Sequence, residues 1–241
     1  MISRLFIHGT DRPLFWTSYW FEDYLNEHSY RGAKNILISS ASSKTAFTLA
    51  YNIGLRKKRS GGTLDVNVVG LTSTSNAVFT RGLNLYDRVL TYDHLPTASS
   101  TSGSWIYVDL SGNNSLNAKF ERQLAPILTV VLGMTNPDEQ NAKNLKGRSH
   151  NTANQEMFFM PEWLAIRAKQ LTIPQITTMQ AAAWKGLMEN CSPWVSIDKS
   201  CGGKAVLEAY RKTLQGSIGP EKGQVFTLWD SVTCRTTPSK L

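Results

Sequence analysis

The segment from Lys34 to Ala50, KNILISSASSKTAFTLA, constrains the fold more than any other part of this chain. Its apolar run, Ile36 to Ile38, is too short for a helix and is bounded by small polar residues, which is typical of a strand buried on both faces. Five small residues, Ser39 to Ser43, follow this run, and apolar residues then recur at helical spacing. A strand, a tight turn and a helix form the first half of a βαβ unit, whose turn lies where doubly wound folds bind ligands.

The following sequence repeats this alternation of short β-branched runs and helical patterns. We predict further strands at residues 64–71, 88–92, 104–110 and 126–133, and helices after the second and fourth strands. Ser75 is expected to cap the first of these two helices, and Val78 belongs to its apolar face. The pattern predicts an α/β fold, a Rossmann-type doubly wound parallel sheet.

Three other segments lie outside this core. An aromatic-rich helix from Trp16 to Leu25, capped by Thr17 or Ser18, needs a surface to pack on, which also makes self-association plausible. Residues 134–156 are a polar stretch that is either mobile or an active-site lid, and its position after a strand favours the lid. Helices at 158–170, 175–190 and 204–214 and a closing strand at 224–229 complete the chain.

Charge and cysteine content restrict the binding partners and the cellular location that we expect for this chain. The formal net charge is +8, but the basic residues are dispersed, and the one dense run, Arg56 to Arg59, is more typical of a solvated helix end than of a nucleic-acid patch. The three cysteines show no metal-ligand spacing, so we expect reduced thiols, no metal and a cytoplasmic location. We find neither a signal peptide nor an apolar run long enough to span a membrane.

Several runs resemble a known family over roughly Arg12 to Asp230. They are DRPLFWTSYWFEDYL, ILISSASSKTAFTLAYNI, VVGLTSTSNAVFTRGLNLYDRVLTYDHL, WIYVDLSGN and MFFMPEWLAIRAK. These runs resemble the uncharacterised family DUF2855, which in turn is similar to the cofactor-binding half of zinc-free, quinone-reductase-like medium-chain dehydrogenases/reductases. The resemblance implies four parts: an aromatic segment at 1–30, a nucleotide-binding core at 31–133, the polar lid at 134–156, and helices with a closing strand at 157–241. It also implies that the first part is a remnant of a GroES-like domain or a docking surface for one.

The resemblance places the glycine fingerprint of the superfamily at Ser40, Ser43 and Ala46. Glycine serves there because the turn needs permissive dihedral angles and close approach to a pyrophosphate. The serine hydroxyls could bond phosphate oxygens, with Lys44 and Thr45 at the helix N-terminus. The alternative is that the serines only form a capped turn and that the pocket is closed.

The resemblance favours NADP(H) over NAD(H) as the cofactor. Thr72 and Ser73 stand where an NAD site has a carboxylate, and Ser73, Asn76 and Tyr92 stand where the reductase branch has a Ser-x-x-Lys pair and a later Tyr around the 2′-phosphate. Asn in place of Lys predicts weaker phosphate binding, and a helix cap would explain Ser73 and Asn76 almost equally well.

The segment Asp109 to Gly112 matches the D-x-x-G turn of the superfamily near the adenosine ribose. Gly112 is therefore assigned to the cofactor site, whereas Asp109 is more often a turn cap than a ligand contact. His94 and Tyr92 lie near the predicted pocket mouth, but no catalytic residue is assigned.

The first function hypothesis is an NADP(H)-dependent oxidoreductase that acts on a small carbonyl compound or an activated alkene. The second is a redox-silent descendant that binds or cyclises an organic-acid or polyketide-like intermediate without cofactor. The third is a non-catalytic interaction module, with the aromatic helix as its docking surface.

Overall fold

The computed structural model describes residues 12–94, 102–132, 154–191 and 193–229. Its contacts divide the chain into two compact units, Thr17–Thr172 and a second unit formed by Met1–Trp16 with Ile173–Leu241. The helices and strands of the first part of the chain are α1 (Arg12–Glu27), β1 (Asn35–Ile38), α2 (Lys44–Arg59), β2 (Asn67–Thr72), α3 (Ala77–Gly82), β3 (Arg88–Thr91), β4 (Trp105–Asp109), α4 (Asn114–Leu124), β5 (Leu128–Leu132), β6 (Gln155–Phe158) and α5 (Met160–Arg167).

The described strands of this unit form one parallel sheet in the order β3-β2-β1-β4-β5-β6. The central strand β1 pairs with β2 through Asn35 and Asn67, and with β4 through Asn35 and Trp105. β1, β4 and β5 are buried along their whole length, as expected for parallel strands covered on both faces. The predicted Rossmann-type sheet is confirmed, and its strand order reverses direction between β1 and β4.

The second unit contains a smaller βαβ arrangement. It comprises α6 (Ile173–Asn190), β7 (Ser196–Cys201), α7 (Gly203–Leu214) and β8 (Lys222–Thr227). β7 and β8 pair in parallel over six residues each. Phe15 and Trp16 pack against Trp184 of α6, with ring centroids 5.3 and 5.9 Å apart.

Helix α1 is a buried component of the described chain. Trp20 and Phe21 have no exposed surface, and Phe21 packs on Phe158 with ring centroids 4.8 Å apart. The buried carboxylate of Glu22 accepts two hydrogen bonds of 2.9 Å from the Arg56 guanidinium at the end of α2. Because this pair is charge-assisted and bidentate, it fixes α1 against α2.

A left-handed turn connects α1 to β1. Ser29, Tyr30, Arg31 and Gly32 all have φ between 48° and 70°. Such a conformation costs each non-glycine residue about 1–2 kcal/mol. The Tyr30 hydroxyl donates to Glu22 over 2.6 Å, and the Arg31 guanidinium donates to Glu156 over 3.0 Å. These two contacts hold the turn.

Both predicted helix caps are wrong. α1 begins at Arg12, so Thr17 and Ser18 are interior residues, and the Ser18 hydroxyl donates to the Thr45 carbonyl. Ser75 lies in a 3-10 turn, Thr74–Asn76, that precedes α3, and its hydroxyl bonds to Ser73. Val78, predicted in the apolar face of α3, is 79% exposed because this short helix buries Ala77 and Thr80 instead.

Two further features differ from the prediction, and a third prediction is not tested. β6 and β7 were not predicted as strands, because their sequences QEMF and SIDKSC alternate too weakly in polarity. Residues 133–153, most of the predicted lid, lie outside the described residues. Cys201 is disulfide-bonded, whereas Cys191 is a buried free thiol, so the prediction of three reduced thiols is wrong. Cysteine spacing cannot reveal such pairing.

Among the described residues, no helix is both long enough and apolar enough to cross a bilayer.

Gly54, in the interior of α2, provides a first prediction about stability. A Cβ at this position would meet nothing within 4 Å. We therefore expect Gly54→Ala to raise the free energy of unfolding by about 0.5–1 kcal/mol, because alanine restricts the unfolded chain and favours helix. Urea titration followed by tryptophan fluorescence measures this change. The matched control is Gly70→Ala in β2, where a Cβ would lie 2.9 Å from the Tyr86 ring and must lower stability.

Candidate functional site

The turn after β1 lies at the carboxyl edge of the sheet, beside the point where the strand order reverses. Ser40 adopts φ +50°, the left-handed conformation that favours glycine. The serine that we predicted to stand at the first fingerprint position therefore has a backbone conformation that suits glycine. Holding a non-glycine residue there costs on the order of 1 kcal/mol, so the surrounding fold enforces the shape of this turn.

The N-terminus of α2 follows directly. Ser43 is its N-cap, and the Ser43 hydroxyl accepts from the Ala46 amide over 3.3 Å. No acidic residue lies in the first turn of α2, and Lys44 is its first residue. The helix dipole and Lys44 together make this end of α2 electropositive, which suits an anionic group.

The other predicted cofactor residues converge on the same edge of the sheet. The Ser40 amide donates to the Tyr92 hydroxyl over 2.9 Å, and the Asn76 side-chain amide donates to the Ser42 hydroxyl over 3.1 Å. Thr72 ends β2 and is buried, and its carbonyl accepts from the Tyr92 amide. Ser73 and Asn76 stand at the N-cap positions of the 3-10 turn Thr74–Asn76 and of α3, as the capping interpretation places them, but neither side chain makes a cap hydrogen bond.

The turn after β4 is built around the buried carboxylate of Asp109. One oxygen accepts from the amides of Ser111 and Gly112 over 3.0 and 2.8 Å and from the Ser111 hydroxyl, and the other accepts from the Asn117 amide over 2.6 Å. Asn117 in turn accepts from the Tyr107 hydroxyl over 2.8 Å. The hydrogen bonds of Asp109 therefore stabilise the turn that contains Gly112, which has φ +61°.

Burial, and then the nearby charge of Asp109, raise the pKa of Tyr107 well above its ordinary value. Tyr107 consequently stays protonated and remains a donor to Asn117 across the physiological pH range.

Two residues at this edge were missed by sequence reasoning. The Ser39 hydroxyl is fully buried and accepts from the amides of Leu110 and Ser111 over 2.8 and 3.0 Å, which joins the turns after β1 and β4. Asp93 follows β3, and its carboxylate accepts from the Thr74 hydroxyl over 2.9 Å. Asp93 therefore places a negative charge next to the segment predicted to hold a 2′-phosphate.

His94, which with Tyr92 was considered for proton transfer near the predicted pocket mouth, is exposed, and its Nδ1 lies 3.2 Å from the Thr91 hydroxyl. In the part of the chain that the structure describes, no cluster of three or more His, Cys, Asp or Glu side chains is placed to hold a metal ion.

Comparison with known proteins identifies a family and a fold. A family model described as "Protein of unknown function (DUF2855)" matches residues 7–219. No curated protein matches the chain.

Among solved structures, CurA from Vibrio vulnificus in complex with NADPH is similar at 11% identity and a TM-score of 0.52, with 87% of this chain and 61% of that chain covered. The yhdH oxidoreductase from Salmonella enterica in complex with NADP is similar at 13% identity and a TM-score of 0.48, with 89% and 60% covered. The quinone oxidoreductase from Coxiella burnetii is similar at 14% identity and a TM-score of 0.48, with 87% and 57% covered. This chain thus spans less than two thirds of the length of each of these structures, and the likeness to CurA shows a shared fold.

Proposed function

This chain belongs to the DUF2855 family of proteins of unknown function, and we propose that it is an NADP(H)-dependent oxidoreductase acting on a small carbonyl compound or an activated alkene. The carrying observation is the turn at Ser40. Ser40 has the left-handed backbone conformation that favours glycine, and its turn lies at the reversal of strand order, in front of the electropositive end of α2. These features are expected of a turn that binds a dinucleotide.

The residues that would hold the cofactor form two groups, one for the pyrophosphate and one for the adenosine ribose with its 2′-phosphate. Ser40, Ser43, Lys44 and Thr45 would face the pyrophosphate, because they form the turn and the first residues of α2. Thr72, Ser73, Asn76 and Tyr92 would face the adenosine ribose and its 2′-phosphate. Gly112, in the turn after β4, would line the other side of the cofactor. CurA, whose fold this chain shares, is in complex with NADPH, and the nicotinamide of such a cofactor supplies the hydride.

The experiment that tests this proposal is a titration with NADPH and, separately, NADH. Quenching of tryptophan fluorescence and energy transfer to the nicotinamide report binding. We expect both nucleotides to bind saturably, since both carry the pyrophosphate that the helix end attracts. Failure of both the wild-type protein and Tyr92→Phe to bind either nucleotide saturably would contradict the reductase proposal.

Asp93→Asn tests the preference for the 2′-phosphate in the same titration. We expect NADPH to bind about fivefold to tenfold more tightly to this variant, because a unit charge about 6–8 Å from a phosphate dianion costs about 1.0–1.4 kcal/mol in a water-like environment. NADH lacks the 2′-phosphate and should change little. Asp65→Asn is the matched control, since Asp65 precedes β2 and pairs with Lys34 at the opposite edge of the sheet. Equal tightening of NADPH and NADH by Asp93→Asn would place the 2′-phosphate elsewhere.

A redox-silent function remains the second candidate, and one observation favours it. The Tyr92 hydroxyl accepts from the Ser40 amide in the turn after β1, and the Asp93 carboxylate accepts from the Thr74 hydroxyl after β2. Two donors that a cofactor would use are therefore already bonded within the protein. A protein that binds an organic acid in this cleft without cofactor would turn over its substrate in the absence of NADPH, and dependence on NADPH would exclude it.

A further inference from the structure

The side chain of Tyr92 reaches from the end of β3 across the end of β2 to the turn after β1. Its ring packs against the core cluster that contains Leu71 and Tyr107, and its hydroxyl accepts from the Ser40 amide over 2.9 Å. The backbone amide of Tyr92 donates to the Thr72 carbonyl over 3.0 Å, which fixes where the side chain starts. Tyr92 is therefore held at both ends in this conformation.

The Ser40 amide is a donor of particular value to a nucleotide site. It belongs to a residue with φ +50°, and backbone amides in such turns form concave sites for phosphate oxygens. The neighbouring hydroxyls are already engaged, since the Ser42 hydroxyl accepts from Asn76 and the Ser43 hydroxyl caps α2. In the structure the Tyr92 oxygen thus satisfies a donor that a pyrophosphate would otherwise use.

We infer that Tyr92 is a displaceable plug of the pyrophosphate site. This inference rests on the proposed function. The family resemblance assigns Tyr92 to the 2′-phosphate as a ligand, whereas the geometry assigns it to the Ser40 amide as a competitor of the cofactor. Binding then requires the hydroxyl to leave Ser40, and the apparent affinity falls by the fraction of molecules in which the plug is closed.

The two roles of Tyr92 predict opposite changes in the affinity for NADPH when Tyr92 is replaced by phenylalanine. Phenylalanine keeps the ring and its packing but removes the oxygen that engages Ser40. The plug predicts that NADPH and NADH both bind about fivefold more tightly, the factor expected for one competing neutral hydrogen bond. The association rate constant should rise while the dissociation rate constant stays the same. A 2′-phosphate ligand predicts instead that NADPH binds more weakly and that NADH does not change.

Tyr86→Phe is the matched control for the loss of a tyrosine hydroxyl at this turn. The Tyr86 hydroxyl donates to the Ala41 carbonyl over 2.8 Å, so its removal frees an acceptor and no donor for phosphate. If Tyr92 is the plug, neither NADPH nor NADH should bind more tightly to Tyr86→Phe. Circular dichroism of both variants verifies that the sheet is intact.

The outcomes separate this inference from the function on which it rests. Tighter binding of both nucleotides to Tyr92→Phe supports the plug, and so does binding to this variant when the wild-type protein binds neither. Unchanged or weaker binding to Tyr92→Phe, with saturable binding to the wild-type protein, overturns the plug and leaves the proposed function standing. Failure of the wild-type protein and the variant to bind either nucleotide overturns both.

Discussion

Replacing Asp109 with alanine should lower the free energy of unfolding by about 3 kcal/mol or more. The carboxylate is fully buried and accepts hydrogen bonds from Ser111, Gly112 and Asn117. Alanine leaves these donors without their acceptor, and each buried, unsatisfied polar group costs about 1–3 kcal/mol. Urea titration followed by tryptophan fluorescence provides the measurement.

Asp109→Asn distinguishes the hydrogen bonds of Asp109 within the turn from its hydrogen bond to Asn117. The asparagine oxygen can still accept from Ser111 and Gly112, but its amide would face the amide of Asn117, which is a donor as well. Asn117 cannot reverse freely because its oxygen accepts from Tyr107. We expect a loss of about half that of alanine. A loss below about 1 kcal/mol in Asp109→Ala would show that water replaces the carboxylate.

Much of the fold could be predicted because its strands follow a simple rule. β1, β4 and β5 are buried on both faces, so their sequences are continuous apolar runs that stand out between polar turns. The small residues after β1 indicate a tight turn because such residues suit turn conformations. The N-cap at Ser43 agrees with the part of the alternative interpretation in which the serines form a capped turn. β6 lacks such a run, since three of its four residues are not buried, and so it was missed.

The site was harder to predict because its important contacts join distant residues. The bond from Ser40 to Tyr92 spans 52 positions, and the one from Leu110 to Ser39 spans 71. Such contacts depend on the side-by-side arrangement of β3, β2, β1 and β4 and leave no periodic signal in the sequence. The left-handed turn at Ser29 to Gly32 is similar, because only Gly32 favours its conformation and the contacts of Tyr30 and Arg31 hold the rest.

Ser43→Asp should weaken the binding of both NADPH and NADH about 100-fold without unfolding the protein. Aspartate is as good an N-cap as serine, and its charge interacts favourably with the helix dipole, so the stability should stay the same or rise by a few tenths of a kcal/mol. The same charge stands where the pyrophosphate should bind. Two phosphate charges within about 5 Å of a carboxylate cost about 2–3 kcal/mol at an intermediate dielectric constant.

Ser43→Asn is the control, because it keeps an N-cap of the same shape as aspartate but carries no charge. Its affinity for both nucleotides should remain within about threefold of the wild-type value, since the cap is retained. Raising the ionic strength should reduce the difference in nucleotide affinity between Ser43→Asp and Ser43→Asn, because salt screens charges that are accessible to solvent. Wild-type affinity in Ser43→Asp would mean that the phosphates lie away from the α2 N-terminus. The left-handed turn at Ser40 would then be a structural remnant, and the cleft would serve a ligand that is not a dinucleotide.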